Sequence, residues 1–399
     1  MPAWNCLRKA VCYHMGKDNN MEQAEYEKKL LEIRNKIDSI DSALLPLFLE
    51  RMDCSEQVAA LKQAAGAPVL NAKREQEILE NIRQKGGKYG SEAAMLYNTI
   101  MSVSRARQHK LLSGGEELRE LERTAARSMP ESPKQVLCQG VEGAYSHQAA
   151  LSFFGEVPIS FTPTWKQVFE DVKSGKAQFG VLPVENSAAG SVTGVYDLIL
   201  RYRFFIVGAT AVKVEHCLAA ADGEAPVTTV ISHPQALSQC AEYIEERGLR
   251  TVEFSNTAAA AKYVAEEKPA GTAAICSEEA AVQYGLTIRE RNVQDDKDNT
   301  TRFVIISKEP ILPEAANKIS LCFSLPHTPG ALHTVLARFA MCGLNMTKIE
   351  SRPIPGKSFE YDFYLDFTGN IHETEALDLL CALYDELPRF SFLGNYSEA

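Results

Sequence analysis

Gly180-Val181-Leu182-Pro183-Val184-Glu185-Asn186-Ser187-Ala188-Ala189-Gly190-Ser191 decides how the middle of this chain is read. Phe179 to Val184 is an apolar run of the length of a buried strand in a parallel sheet. It delivers Glu185, Asn186 and Ser187 onto a loop of small residues, just before a helical pattern from Val192 to Leu200. Open parallel sheets gather their ligands at the carboxyl ends of strands. Glu, Asn and Ser carry donors and acceptors that a core would waste, so the loop is expected to face a small polar molecule.

Outward from this stretch, residues 135–310 alternate strand and helix signals. Strands are expected at Gln135–Val141, Ile159–Thr162, Phe179–Glu185, Phe204–Val214, Thr228–Ser232, Thr251–Ser255, Thr272–Ser277 and Arg302–Ser307, in a parallel-rich α/β domain. That many strands suits two lobes around a cleft. Residues 317–399 read β-α-β-β-α-β, the ferredoxin-like plan, in a short α+β module. Residues 21–112 are helical. Leu30, Ile33, Ile37, Ile40, Leu44 and Leu47 make a heptad seam, with a kink expected at Pro46. Ala67-Pro68 and Gly86-Gly87 divide the segment into one long and two shorter helices, too few to close a core, so a homodimer or higher homo-oligomer is expected. Residues 113–134 read as a partly helical linker and 1–20 as a disordered tail.

Bulk composition narrows the function. The chain has 399 residues, 45% hydrophobic and 24% charged, as a multidomain globular protein has. A net charge of -10 argues against a general nucleic-acid binder. No apolar run reaches the ~18 residues of a membrane span, so no membrane partner is expected. The ten cysteines are scattered without metal-ligand spacing, which points to reduced thiols in the cytoplasm and to no metal.

Several residue groups carry chemistry. Arg51 falls on the heptad seam, where a buried cation needs an anion. Lys62, eleven residues on, shares its face; Arg34, seventeen residues earlier, does not, and would reach the same anion only from another subunit. Ser104 and Gln108 are an i, i+4 pair. Charged flanks of an ordinary coiled coil are the plain alternative. In the α/β segment, Gly140-x-x-Gly143-x-Tyr145-Ser146 marks a strand-to-helix turn, either a plain tight turn or one that attracts a carboxylate. Ser232-His233-Pro234-Gln235 with Gln239, and Asn299-Thr300-Thr301-Arg302-Phe303, are further polar clusters. His233 reads either as a ligand or base, or as a helix cap.

The series Arg34, Arg51, Lys62, Asn71-x-x-Arg74-Glu75 and Ser104-x-x-x-Gln108 resembles the helical chorismate mutase family. The resemblance implies an all-α, domain-swapped dimer that rearranges chorismate to prephenate without a cofactor. Arg34, Arg51 and Ser104 would bind carboxylates, Lys62 and Gln108 the ether oxygen, and Asn71 and Glu75 the ring hydroxyl, with Arg74 beside them. Asn71 stands where that family often has Asp. G-x-x-G-x-Y-S, L-P-V-E-N-S-x-x-G-S-V, S-H-P-Q and T-R-F together look like prephenate dehydratase. This implies a two-lobed fold of the type II periplasmic-binding-protein kind, forming phenylpyruvate from prephenate. Thr301 would then be the essential hydroxyl, with Glu185 a rival acid. Asn186, Ser187, Ser232 and Gln239 would orient the substrate, and Arg302 would pair with an anion.

Gly330-Ala331-Leu332 and Glu350-Ser351-Arg352-Pro353 look like motifs of the ACT domain attached to such dehydratases. The resemblance implies feedback by phenylalanine through these residues and Asn345. The leading reading is a bifunctional enzyme. A two-lobed sensor with an amino-acid-sensing module and a monofunctional dehydratase with a non-catalytic helical arm are its rivals.

Overall fold

The computed structural model describes residues 23–112, 114–221, 226–354, 356–357 and 359–398; the tail expected at 1–20 lies outside the described residues. The chain divides into two compact units, Met1–Pro68 and Val69–Ala399. Among its described residues the first holds one helix, α1, Gln23–Ala65, with Glu25 in its first turn and Lys62 in its last, each complementing the helix dipole. Pro46 lies inside it and the helix continues past it without a break.

The second unit opens with α2, Ala72–Lys85, whose first turn is capped by Asn71: its side-chain oxygen accepts from the Arg74 N–H at 3.1 Å. A 3-10 turn at Gly87–Tyr89 leads into α3, Gly90–Leu112. Gly90 is required there, because a Cβ would sit 2.2 Å from the Arg83 carbonyl oxygen. The expected linker holds a helix of its own, α4, Glu116–Thr124. It is built into the terminal module: Leu118 packs with Leu379 and Leu380, and Arg119 pairs with Asp378 at 2.6 Å.

The first lobe comprises β1 (Val136–Gln139), α5 (Tyr145–Phe154), β2 (Ile159–Thr162), α6 (Trp165–Lys173), β3 (Phe179–Asn186), β4 (Gly190–Ser191), α7 (Thr193–Tyr202) and β5 (Phe205–Lys213). The second comprises β6 (Cys217–Ala220), β7 (Thr229–Ser232), α8 (Pro234–Ser238), α9 (Ala241–Glu246), β8 (Arg250–Glu253), α10 (Thr257–Glu267), β9 (Thr272–Cys276), α11 (Glu278–Gln283) and β10 (Thr287–Arg291). The chain then returns to the first lobe as β11, Thr300–Ser307. Strand orders are β2-β1-β3-β11-β5, with β4 paired to β3, and β10-β6-β9-β7-β8.

The parallel-rich sheet expected from the sequence is in fact two mixed sheets. β1 runs parallel to β2 and β3, but β11 is antiparallel to both β3 and β5. β3 ends at the cleft, whereas β11 begins there on its way back from the other lobe, so the two must run in opposite directions. Strand β3 holds Glu185, at the end of the strand expected at Phe179–Glu185, and runs on through Asn186, which is thus a strand rather than a loop residue, before turning into the short strand β4 through a tight hairpin.

The terminal module is β12 (Lys318–Ser324), α12 (Ala331–Met341), β13 (Met346–Pro353), β14 (Tyr361–Thr368), α13 (Thr374–Glu386) and β15 (Arg389–Tyr396). Its antiparallel sheet has the order β13-β14-β12-β15, as the β-α-β-β-α-β plan requires. Its residues Cys322, Tyr364, Leu393 and Tyr396 join Leu182, Ile206 and Val304 of the first lobe in one buried cluster. Gly394 permits that approach, because a Cβ would stand 2.0 Å from the Ile206 carbonyl oxygen.

Candidate active site

A cavity of about 170 Å³ lies between the two lobes. Gln139, Tyr145, Asn186 and Thr301 line it from the first lobe, and His233, Gln239 and Asn256 from the second. His216, in the segment joining β5 to β6, lines it as well.

The pleat of two paired strands decides which motif residues reach this cavity. Thr301 of β11 stands opposite Asn186 of β3, and Arg302 stands opposite Glu185. Successive side chains of a strand point to opposite faces. Thr301 and Asn186 therefore face the cleft, while Arg302 and Glu185 face the terminal module.

On the cleft side, Asn186 is 4% exposed and fully engaged. Its oxygen accepts from the N–H groups of Ala188 and Ala189, which shapes the hairpin. Its Nδ2 donates to Asn299 Oδ1 at 2.7 Å and to Thr301 Oγ1 at 2.9 Å. Because Thr301 Oγ1 accepts there, its own proton is left to point elsewhere, and the cavity adjoins it. The result is a neutral hydroxyl donor held by a rigid amide.

On the other side, Arg302 donates from Nη1 to Asp366 at 2.8 Å and from Nη2 to the Tyr396 hydroxyl at 2.8 Å, and its Nε pairs with Glu398. Burial works against its charge, but the Tyr396 and Asp366 oxygens raise its pKa above the ordinary value. Glu185 lies 3.3 Å from Lys348 and 3.9 Å from Arg302. Neither residue lines the cavity. The anion partner expected of Arg302 is thus the protein's own carboxylates, and Glu185 is turned away from the place of a catalytic acid. Ser187 and Ser232 are also absent from the lining: Ser187 Oγ accepts from the Thr300 N–H at 2.9 Å, and the buried Ser232 hydroxyl donates to the Ile275 carbonyl at 2.6 Å. Both hold backbone near the cleft. His233 caps α8, its Nδ1 accepting from the Gln235 N–H at 3.2 Å, as the cap alternative expected.

Sequence reasoning missed His216. A lone histidine before a strand carries no spacing signal, and its position between the lobes becomes visible only once the chain is known to cross twice.

In the helical segment, α1 carries Arg34, Arg51 and Lys62. In the second unit, Asn71 and Arg74 are exposed, and Arg74 lies 3.7 Å from Glu77. Ser104 and Gln108 are both buried on α3. Glu75 accepts a short hydrogen bond from Arg105, which also donates through Nε to Glu386 of the terminal module at 3.0 Å. In the terminal module, Gly330 has φ +84° at the N-terminus of α12, preceding Ala331 and Leu332. The Asn345 carbonyl accepts from the Thr368 N–H at 2.9 Å. Arg352 is only 9% exposed; it pairs with Glu350 and Asp197 and lies over the rings of Tyr196 and Tyr364. Ser351 and Pro353 flank it, exposed. Among the described residues, no helix is long and apolar enough to cross a membrane.

A two-lobed cleft with a held hydroxyl, behind a helical segment and ahead of a ferredoxin-like module, defines a multidomain enzyme. Residues 33–109 match the chorismate mutase type II family and residues 136–311 the prephenate dehydratase family. The bifunctional chorismate mutase/prephenate dehydratase of Aquifex aeolicus is 33% identical over 93% of this chain and 99% of its own. The chloroplastic arogenate dehydratase/prephenate dehydratase 2 of Arabidopsis thaliana is 39% identical over 66% of this chain and 72% of its own. Among solved structures, the prephenate dehydratase of Arthrobacter aurescens in complex with L-Phe is 29% identical, covering 66% of this chain and 89% of that one, with a TM-score of 0.61. The chain belongs to the bifunctional chorismate mutase/prephenate dehydratase family.

Proposed function

We propose that the cleft between the lobes dehydrates and decarboxylates prephenate, and that the helical segment supplies it by rearranging chorismate. The observation that carries the dehydratase reading is the Asn186–Thr301 hydrogen bond at the cavity wall. In the reaction the ring carboxylate leaves as carbon dioxide. Its bonding pair enters the ring, and the hydroxyl on the opposite carbon leaves with its bonding electrons. That hydroxyl takes up one proton to become water, and the aromatic product is phenylpyruvate. Thr301, accepting from Asn186, donates to the departing oxygen. The Gln239 amide and the polar cleft walls hold carboxylates.

The rearrangement needs neither nucleophile nor proton transfer, only a folded substrate and charge beside the breaking ether bond. We assign Arg34, Arg51 and Ser104 to carboxylates, Lys62 and Gln108 to the ether oxygen, and Asn71, Arg74 and Glu75 to the ring hydroxyl region. The chain works as a homodimer or larger assembly on this reading. Ile33, Ile37, Ile40, Leu44 and Leu47 of the α1 seam are between 49% and 62% exposed, an apolar stripe that a second copy would cover. Segments 21–112, 135–310 and 317–399 are the mutase, the dehydratase and an ACT domain, joined by 113–134. The ACT domain takes phenylalanine as a feedback inhibitor at Gly330–Leu332, Asn345 and Glu350–Pro353. The eight described cysteines are free thiols, as the cytoplasm would keep them.

The test is a pair of assays on purified protein, chorismate loss and phenylpyruvate formation, each with and without phenylalanine. Turnover of neither substrate would overturn the reading in favour of a two-lobed sensor.

A further inference from the structure

The two segments that join the lobes are sewn to each other, and one histidine sits in the seam. The His216 N–H donates to Gln294 Oε1 at 2.9 Å, and its carbonyl accepts from the Val293 N–H at 3.0 Å. The residue is 2% exposed, yet its ring forms part of the cavity wall. Nδ1 lies 3.1 Å from the hydroxyl of Tyr145, which belongs to the first lobe. Nε2 lies 3.1 Å from Oε1 of Gln239, which belongs to the second. Tyr145 meets the imidazole edge-on, with ring centroids 5.8 Å apart. Thus one side chain touches both lobes at the back of the cleft, and both partners line the cavity.

The proton positions follow from donor and acceptor counting. Burial disfavours the charged imidazolium and lowers the His216 pKa, so one nitrogen carries the proton. Nε2 faces an amide oxygen, which only accepts; the proton is therefore on Nε2. Nδ1 is then an acceptor, and its donor is the Tyr145 hydroxyl, whose proton is shared with the Glu215 carbonyl at 2.8 Å. This chain of donors, from Tyr145 to His216 to Gln239, fixes which end of the Gln239 amide meets the cavity. With its oxygen held by His216, its NH2 group is the end left free for the cavity that Gln239 lines, and a carboxylate substrate needs a donor there.

We propose that His216 is a positioning residue for the dehydratase: protonated on Nε2, it bridges Tyr145 of one lobe and Gln239 of the other and turns the Gln239 N–H groups toward a substrate carboxylate. This rests on the dehydratase reading of the cleft.

The experiment measures steady-state phenylpyruvate formation from prephenate by full-length protein, with chorismate turnover and melting temperature recorded on the same preparations. In His216→Leu, kcat/KM for prephenate is expected to fall roughly 10- to 100-fold, as small misplacements of a binding group do. His216→Gln, whose amide N–H reaches the place of Nε2, is expected to stay within several-fold of wild type. Gln239→Ala should lose as much as His216→Leu, and the double variant no more than either alone. If His216→Leu does not fold, Tyr145→Phe takes its place: it removes only the proton that Nδ1 accepts, should lower kcat/KM several-fold, and should be silent in the Gln239→Ala background. Losses that multiply in the double variant, or a His216→Gln as damaged as His216→Leu, would overturn the proposal in favour of a purely structural role. A His216→Leu within twofold of wild type would overturn it outright. A wild-type protein inert on prephenate would instead remove the dehydratase reading, and the proposal with it.

Discussion

On the proposed reading the cleft and the α1 helix solve the same problem, holding a dianion, with opposite uses of the chain. The cleft is closed by residues of one chain: β3, β11, the segment joining β5 to β6 and the C-terminal end of α8 bring Asn186, Thr301, His216 and Gln239 to one cavity. Helix α1 carries its cations beside an apolar seam that remains exposed. On the proposed reading one site is finished by folding, and the other is completed by association. The dehydratase should therefore follow variants of the cleft and ignore protein concentration, while the mutase should follow both.

The largest expected effect breaks one side of that comparison alone. Thr301→Ala removes the donor to the departing hydroxyl and should lower phenylpyruvate formation ~10²- to 10⁴-fold. Chorismate turnover by the same sample should remain unchanged. Equal losses in both assays would show that the two sites do not act independently.

Next comes the converse. Lys62→Ala should lower chorismate turnover roughly 10²-fold or more, as the loss of a preorganised donor to developing charge does, with phenylpyruvate formation from added prephenate intact. Progressive dilution of wild type should lower specific mutase activity but not dehydratase activity. A mutase indifferent to dilution down to a mass measured as monomeric would sink the argument for a second copy.

A third prediction concerns the face of β3 and β11 away from the cleft. Glu185→Gln weakens the pairing with Lys348 without touching the cavity wall. Uninhibited phenylpyruvate formation should stay within threefold of wild type, while the phenylalanine concentration for half-inhibition rises about tenfold, a typical size of coupling between sites. A large loss of uninhibited turnover would return Glu185 to the catalytic role that its sequence neighbours suggested.

That case shows what the sequence made legible and what it did not. The order of elements could be read from apolar runs and breaks, and residues 317–399 show the β-α-β-β-α-β order expected of them. Strand direction could not, because an apolar run looks the same from either end; the antiparallel entry of β11 follows from a chain that crosses between lobes twice. The site residues were read as blocks, E-N-S and T-R-F, although a strand's period of two divides each block between its faces. Applied to Glu185-Asn186 and Thr301-Arg302, that rule alone would have sent one residue of each pair to the cleft and the other behind it. Which was which depends on register, and register is a property of two strands. His216 and Arg105 were illegible for a different reason, since their partners lie on elements far away in the chain.

The smallest expected effect on either activity, and the sharpest on stability, lies where α3 meets the terminal module. Glu386 is buried. It accepts from Arg105 Nε at 3.0 Å and Arg338 Nη1 at 2.9 Å, and its second oxygen lies 2.8 Å from His109 Nε2. Burial opposes its charge, yet the His109 contact and the two guanidinium groups outweigh it and hold the carboxyl down to about 2. Its ordinary value is 4.5, so between the two pH values the unfolded chain binds a proton that the folded chain does not. The stabilisation from this group is complete above pH 4.5 and is lost as the pH falls toward 2. Glu386→Gln leaves the buried Arg338 guanidinium without this counter-charge and Arg105 with Glu75 alone, and should cost roughly 3 kcal/mol at neutral pH. Urea unfolding of both proteins from pH 7 downward checks it: the gap should narrow below pH 4.5, because wild type alone has this carboxylate to lose. A gap independent of pH would mean that packing, rather than charge, is what Glu386 contributes.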